Sequence, residues 1–207
     1  MIMAPHPAGP SFWYSCRMVL FTGKGDGGTT KLFDSEPGKR ASKASPIFEC
    51  LGMLDELNTL VGWCKTECPE DLATQERKVK MILHDVQDHL FTLQAEVAGA
   101  PKSVPLSSVE MLGVLINRIE GEMPPIKTFL VPGGTELSAR LDIARAVARR
   151  AERRIVTLHE SGERIVSESS RAYANRLSSL LYALTRLVNH RAGVEEKSPN
   201  YQDAQAK

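Results

Sequence analysis

The densest chemistry in the chain lies in residues 139–159, ARLDIARAVARRAERRIVTLH, where Arg140, Arg145, Arg149, Arg150, Arg153 and Arg154 occur without a single Lys. Arg145, Arg149 and Glu152 are spaced four and three residues apart, which sets them on one line of a helix. A guanidinium is a rigid, permanently charged fork that matches phosphate or carboxylate oxygens. A row of such forks suits a ligand with several negative charges, although a solvated outer face with partial Glu pairing has the same spacing. A second cationic stretch is 22–31, TGKGDGGTTK. Gly23, Gly25, Gly27 and Gly28 free its backbone to turn and to approach a ligand closely. Thr22, Thr29 and Thr30 add hydroxyls, and Lys24 and Lys31 add charge. Backbone N–H groups with Lys are what a polyphosphate needs. The order is not that of a Walker loop, which ends in Gly-Lys-Ser/Thr directly before a helix. The polar connection at 34–46 adds Lys39, Arg40 and Lys43.

These groups need elements to position them, and the apolar spacing supplies five helices. The first covers about 46–64, with Pro46 in its first turn, Ser45 as cap, and Ile47, Leu51, Leu54 and Val61 as its stripe. Asp55, Asn58 and Gly62 fall beside Leu51, so Asp55 is expected to be half-buried and in need of a partner, unless it sits at the wet edge of the stripe. The second helix covers about 72–98. The third covers about 107–121, with Ser107 and Glu110 as a capping-box pattern. Pro124-Pro125 then breaks the chain ahead of an apolar connector, TFLVPGG, whose Phe129 is a core plug by default. The fourth helix is the Arg-rich one, between Gly133-Gly134 and Gly162. The fifth covers about 165–191, with Asn175 and Arg176 interrupting its apolar stripe. Together they predict an all-α fold, a five-helix up-and-down bundle in a single domain at 19–192, between a flexible arm at 1–18 and a flexible tail at 193–207.

Composition narrows the function classes. Hydrophobic content of 42% and charged content of 25% are those of a globular protein. A formal charge of +1 and aromatics of 6%, not interleaved with the arginines, argue against a nucleic-acid binder. No apolar run approaches the roughly 20 residues of a membrane span. Cys16, Cys50, Cys64 and Cys68 form no Cys-X-X-Cys pair. Cys64 and Cys68 are one helical turn apart, yet free thiols in a reducing compartment are the expectation. That compartment is the cytoplasm, or the mitochondrial matrix in a eukaryote.

Six segments in order resemble the PduO-type ATP:cob(I)alamin adenosyltransferases. They are TGKGDGGTT at 22–30, Lys43 ahead of the first helix, GMLDELN at 52–58, FLVPGG at 129–134, RAVARRAER at 145–153 and NRLS at 175–178. The likeness extends from about residue 19 to 189. The sequence departs from the family pattern at Lys24, Gly27, Ile47 and Ser179, and in a longer connection between Lys31 and Lys43.

The resemblance implies transfer of the 5′-deoxyadenosyl group of ATP to the cobalt of cob(I)alamin, giving adenosylcobalamin and triphosphate. It implies ATP contacts from Thr22, Gly23, Lys24, Gly25, Thr30, Lys31, Lys43, Arg149, Arg150, Glu152, Arg153 and Asn175. Phe129 would fill the lower face of the corrinoid, and Asp55 would pair with Arg145 across the interface of a homotrimer. Mg²⁺ would arrive with ATP, with no residue assigned as its direct ligand, and cobalamin is a substrate. Partners would be a flavin-dependent reductase and an acceptor enzyme for adenosylcobalamin, with no nucleic acid and no membrane. The alternative is a non-catalytic carrier or sensor of the same fold that binds ATP or a corrinoid.

Overall fold

The computed structural model describes residues 21–200, so the N-terminal arm, Cys16 and the last seven residues lie outside it. The described residues form a two-residue hairpin, β1 (Thr29–Thr30) and β2 (Ala41–Ser42), and five helices: α1 (Pro46–Glu67), α2 (Val79–Val97), α3 (Leu106–Gly121), α4 (Glu136–Glu160) and α5 (Glu168–Arg191). α4 packs against both α1 and α5, α2 lies against α1, and α3 lies against α5. The order across the bundle is thus α2–α1–α4–α5–α3. The Arg-rich helix is central because its other face is apolar: Leu137, Leu141, Ala144, Ala148, Ala151, Ile155 and Leu158 are all buried. Small residues at 144, 148 and 151 let the neighbouring helices approach closely. No helix is long and apolar enough to cross a membrane among the described residues.

The helix boundaries differ from the sequence reading where local polar groups compete. α2 begins at Val79 rather than near residue 72. The Thr74 hydroxyl accepts from the N–H groups of Glu76 and Arg77 at 3.2 and 3.0 Å, holding a turn that excludes helix there. Ser107 does not cap α3; the N-cap is Pro105, with no side-chain cap. Ser45 is the N-cap of α1, but its hydroxyl makes no cap bond. α4 instead carries a reciprocal box in which Thr135 and Ser138 each accept from the other's backbone N–H. α5 starts at Glu168, with the Ser167 hydroxyl accepting from Ser170.

Cys50, Cys64 and Cys68 are free and buried. Burial pushes the Cys50 thiol up to about 12 and the Cys64 thiol to about 11, which disfavours their thiolate forms. The described residues contain no group of three or more His, Cys, Asp or Glu able to hold a metal ion.

Two contacts fix the segment at Phe33 and Asp34 to the bundle. Asp34 accepts both guanidinium N–H groups of Arg164 at 2.7 and 3.1 Å, and this bond holds its carboxyl below the ordinary range. Phe33 N–H donates to the Ala98 carbonyl at 2.9 Å, at the end of α2. Gly99 permits both: its φ is +96°, and a Cβ there would stand 2.3 Å from the Asp34 carboxyl carbon. Gly99→Ala is therefore expected to cost about 1–3 kcal/mol of stability, from strain at positive φ and displacement of Asp34. Denaturant unfolding of the variant checks this.

Candidate functional site

The glycine-rich loop and Lys43 are brought together by the hairpin. Thr29 pairs with Ser42 and Thr30 with Ala41, so the connection from Lys31 to Lys43 folds back on itself. Lys43 N–H donates to the Gly28 carbonyl at 2.9 Å. The Lys43 ammonium lies across the loop, 3.1 Å from where a Cβ on Gly25 would stand. Gly25 thus leaves room for the Lys43 ammonium, and Gly23 and Gly28 are needed for φ of +67° and +74°.

Arg40 holds this loop in shape, a role the sequence reading did not assign. Its guanidinium donates to the Lys24 carbonyl at 2.8 Å, the Thr29 carbonyl at 2.7 Å and the Thr29 hydroxyl at 2.9 Å. Three bonds from one rigid fork close the two ends of the turn on each other. Lys24, Lys31 and Lys43 have no carboxylate within ion-pair distance among the described residues, so their charge is free for a ligand.

On α4 the arginines sort into two groups. Arg140 pairs with Glu67 at 3.0 Å and with Glu136, and lies 4.3 Å over the Trp63 ring. Arg150 reaches Glu56 at 3.1 Å and the Met53 sulfur at 3.0 Å, and Arg154 reaches Glu49 at 3.5 Å; both tie α4 to α1. Arg145 pairs with Asp142 at 3.0 Å and lies 5.5 Å over the Tyr182 ring. Arg149 and Arg153 have no carboxylate partner among the described residues. Arg153 donates to the Arg149 carbonyl at 3.0 Å, which steers its guanidinium back along the helix. Beside them the Asn175 amide on α5 donates to Glu152 at 2.7 Å. Two uncompensated, exposed guanidiniums next to an oriented carboxylate make an anion-receiving surface.

Two expectations need correction. Asp55 is exposed on α1 rather than half-buried, with no partner among the described residues; it lies at the outer edge of the stripe, facing the groove between α1 and α2 formed with Phe48, Leu51 and Phe91. Phe129 is no core plug: it is 80% exposed. Its connector is nevertheless held. The Thr128 and Ser198 hydroxyls are 2.6 Å apart, and Val131 N–H donates to the Lys197 carbonyl at 2.8 Å. Part of the segment read as a flexible tail thus pairs with the Phe129 loop.

Within one chain the structure joins the loop at 22–31 to Lys43, Arg153 to Arg149, and Asn175 to Glu152. No hydrogen bond or ion pair among the described residues joins these two clusters, or Asp55 to Arg145.

The fold and these clusters define a helical bundle with two cationic surfaces suited to a polyphosphate. The chain matches the family described as cobalamin adenosyltransferase over residues 20–188, and it belongs to that family. It is 40% identical to the corrinoid adenosyltransferase PduO of Citrobacter freundii over 182 residues, covering 84% of this chain and 51% of that protein. With the Bacillus subtilis corrinoid adenosyltransferase the identity is 34%, over 86% of this chain and 90% of the relative. The chain spans about half the length of the PduO relatives it matches. Among solved structures, a variant PduO-type ATP:corrinoid adenosyltransferase from Lactobacillus reuteri, complexed with cobalamin and ATP, superposes with a TM-score of 0.77 at 25% identity, covering 88% of this chain and 99% of that one.

Removing Arg40 tests the loop reading. Arg40→Ala is expected to leave the melting temperature within about 2 °C, because an exposed surface group contributes little to stability. It should weaken the binding of inorganic triphosphate, used as a polyphosphate probe, by about tenfold, the equivalent of roughly 1.4 kcal/mol of lost preorganisation. Calorimetric titration of the two proteins makes the comparison.

Proposed function

We propose that this chain transfers the 5′-deoxyadenosyl group of ATP to the cobalt of cob(I)alamin. The observation that carries the reading is the sorting of charge: among the described residues, Arg149, Arg153, Lys24, Lys31 and Lys43 are left without carboxylates, while the neighbouring arginines are compensated. Family membership supplies the chemistry. The Co(I) electron pair forms the bond to the ribose C5′, the C5′–O bond breaks, and triphosphate leaves with the electron pair of the broken C5′–O bond. The developing charge is on the leaving group, so fixed cations there stabilise the transition state most. Thr22, Gly23, Gly25 and Thr30 would supply loop donors to the phosphates. Glu152, held by Asn175, would accept from ATP hydroxyls or orient the arginines. Arg150 is assigned to holding α4 on α1. Mg²⁺ would enter bound chiefly to phosphate oxygens, in keeping with a site built of cations rather than carboxylates.

The assembled site is proposed to form between copies in a homotrimer. The absence of any bond between the two clusters among the described residues of one chain supports this. Asp55, without a partner among the described residues, supports it too, since an arginine of a second copy would complete it. Arg145 uses only its Nε on Asp142, so its terminal nitrogens remain for that pairing and Arg149 stays free for the phosphates. Such a pair fixes register more than it adds stability. Phe129, exposed on a tethered loop, would cover the lower face of the corrinoid and exclude the axial ligand and water. That leaves a four-coordinate cob(II)alamin that a flavin-dependent reductase can reduce. An acceptor enzyme would then take the adenosylcobalamin, in the cytoplasm or the mitochondrial matrix.

The direct test is incubation with ATP, Mg²⁺ and chemically reduced cobalamin, followed by the visible spectrum of adenosylcobalamin. Product is expected; binding of both substrates without product would convert the reading to a carrier or sensor. Arg149→Ala should lower kcat/KM for ATP by roughly 2–4 kcal/mol in transition-state terms with the fold retained. A folded variant with full activity would remove Arg149 from the site.

Phe129→Ala separates two routes to Co(I). The flavin-coupled rate should fall at least about tenfold more than the chemically reduced rate, a differential of roughly 1.4 kcal/mol. Because Phe129 is exposed, melting should be nearly unchanged. Equal losses in the two assays would remove Phe129 from the corrinoid face.

A further inference from the structure

The Phe129 connector leaves α3 and returns to α4 across 122–135, and its two ends are fixed by one network of buried polar groups. Asp142, 7% exposed, lies two turns into α4. Its Oδ1 accepts from Arg145 Nε at 3.0 Å, and its Oδ2 accepts from Gly133 N–H at 3.2 Å. The Gly133 carbonyl accepts from Asn189 Nδ2 at 3.1 Å, and Asn189 Oδ1 accepts from Thr135 N–H at 3.4 Å. Asn189 Nδ2 also reaches Glu196 at 3.4 Å. The other Glu196 oxygen accepts from Arg186 Nε at 3.0 Å, and Arg186 donates to the Pro124 carbonyl at 2.9 Å. Gly134, at φ +139°, is required where a Cβ would stand 2.3 Å from Asn189 Oδ1.

We propose that Asp142 is a positioning residue that couples the arginine helix to the Phe129 loop. This rests on the reading of Phe129 given above. The chemistry of the position calls for a carboxylate. It faces two donors from opposite sides, the Arg145 guanidinium and the Gly133 N–H, and needs an acceptor for each. An amide has one oxygen, so Asp142→Asn turns its NH₂ toward one of these donors and breaks that bond with almost no change in volume. Removing one partner from a buried pair costs more than the bond was worth, because the group left behind is desolvated and unsatisfied. Arg145 thereby takes a second role: stacked on Tyr182 and bound to Asp142, it braces the base of the loop rather than meeting a ligand with a free charge. Partial burial holds the Tyr182 phenol above its ordinary range, against the opposing Arg186 charge.

Two measurements on the full chain test the proposal. The first is hydrogen exchange. Asp142→Asn is expected to speed exchange of the amides at 131–135 by at least about tenfold, with the protected amides of α2 unchanged. A global rise, or no rise at 131–135, overturns the clamp whatever the kinetics show. The second compares flavin-coupled with chemically reduced turnover for Asp142→Asn beside Phe129→Ala. Asp142→Asn is expected to depress the flavin-coupled rate at least about fivefold more than the chemically reduced one, and to lower the yield of four-coordinate cob(II)alamin. If Phe129→Ala shows the differential and Asp142→Asn does not, the coupling is wrong. If neither shows it while the loop amides exchange faster, the clamp stands and the reading of Phe129 falls.

Discussion

Six guanidiniums on one helix repel one another, and the way this structure relieves that repulsion decides much of the rest. Glu49, Glu56 and Glu67 on α1 answer Arg154, Arg150 and Arg140. Asp142 answers Arg145 from within α4. The exposed pairs from α4 to α1 each contribute little, about 0–1 kcal/mol, so their importance is geometric. They run along the α1–α4 seam and set its register above an apolar floor of Leu54, Leu57, Val61, Leu141, Ala144 and Ala148. What they leave over is a pair of charges, Arg149 and Arg153, one turn apart and pointing away from the seam. A cationic residue without a partner in a folded chain is a cost of self-repulsion, and a polyanionic ligand removes it.

The segments that flank α4 obey the same logic with neutral groups. The connector before it ends in Gly133-Gly134 because both residues take positive φ and Asn189 stands where a Cβ on Gly134 would be. The loop at 22–31 keeps Gly25 open for the Lys43 ammonium and is closed by Arg40. In both cases a loop that faces solvent is built from backbone held by buried or branched side chains, so its shape is fixed before a ligand arrives. Preorganisation of this kind lets binding energy go into the transition state rather than into ordering the site.

Much of this was legible in the sequence. The 3.6-residue period located all five helices, because each buries one continuous stripe. Glycine clusters marked both functional loops, and the arginine spacing marked the central helix. The misses have physical causes. A hairpin of two residues per strand is too short to show alternation, so the means by which Lys43 returns to the loop stayed hidden. Arg40 and Asp142 act through contacts to backbone groups distant in sequence, 16 residues for Arg40 to Lys24 and 9 for Asp142 to Gly133. No local pattern announces such contacts. Asp55 was placed too deep because helix angle alone does not say where a packing partner ends. Thr74 overrode apolar spacing with a side-chain turn, which delayed α2 to Val79. Phe129 could be weighed by type and loop position, but its exposure depends on where the connector is tied down.

The central claim is that the Lys43 loop of one copy meets the Arg149 surface of another. Subunit complementation tests it most directly. Lys43→Ala and Arg149→Ala chains, each inactive in adenosyl transfer, are co-refolded so that mixed oligomers form, and native mass spectrometry verifies the mixing. With random mixing of equal amounts, about a quarter of the interfaces should join an intact loop to an intact arginine surface, and activity should return to roughly that fraction of wild type. Mixed oligomers that remain inactive would place both halves of the site in one chain and contradict the claim.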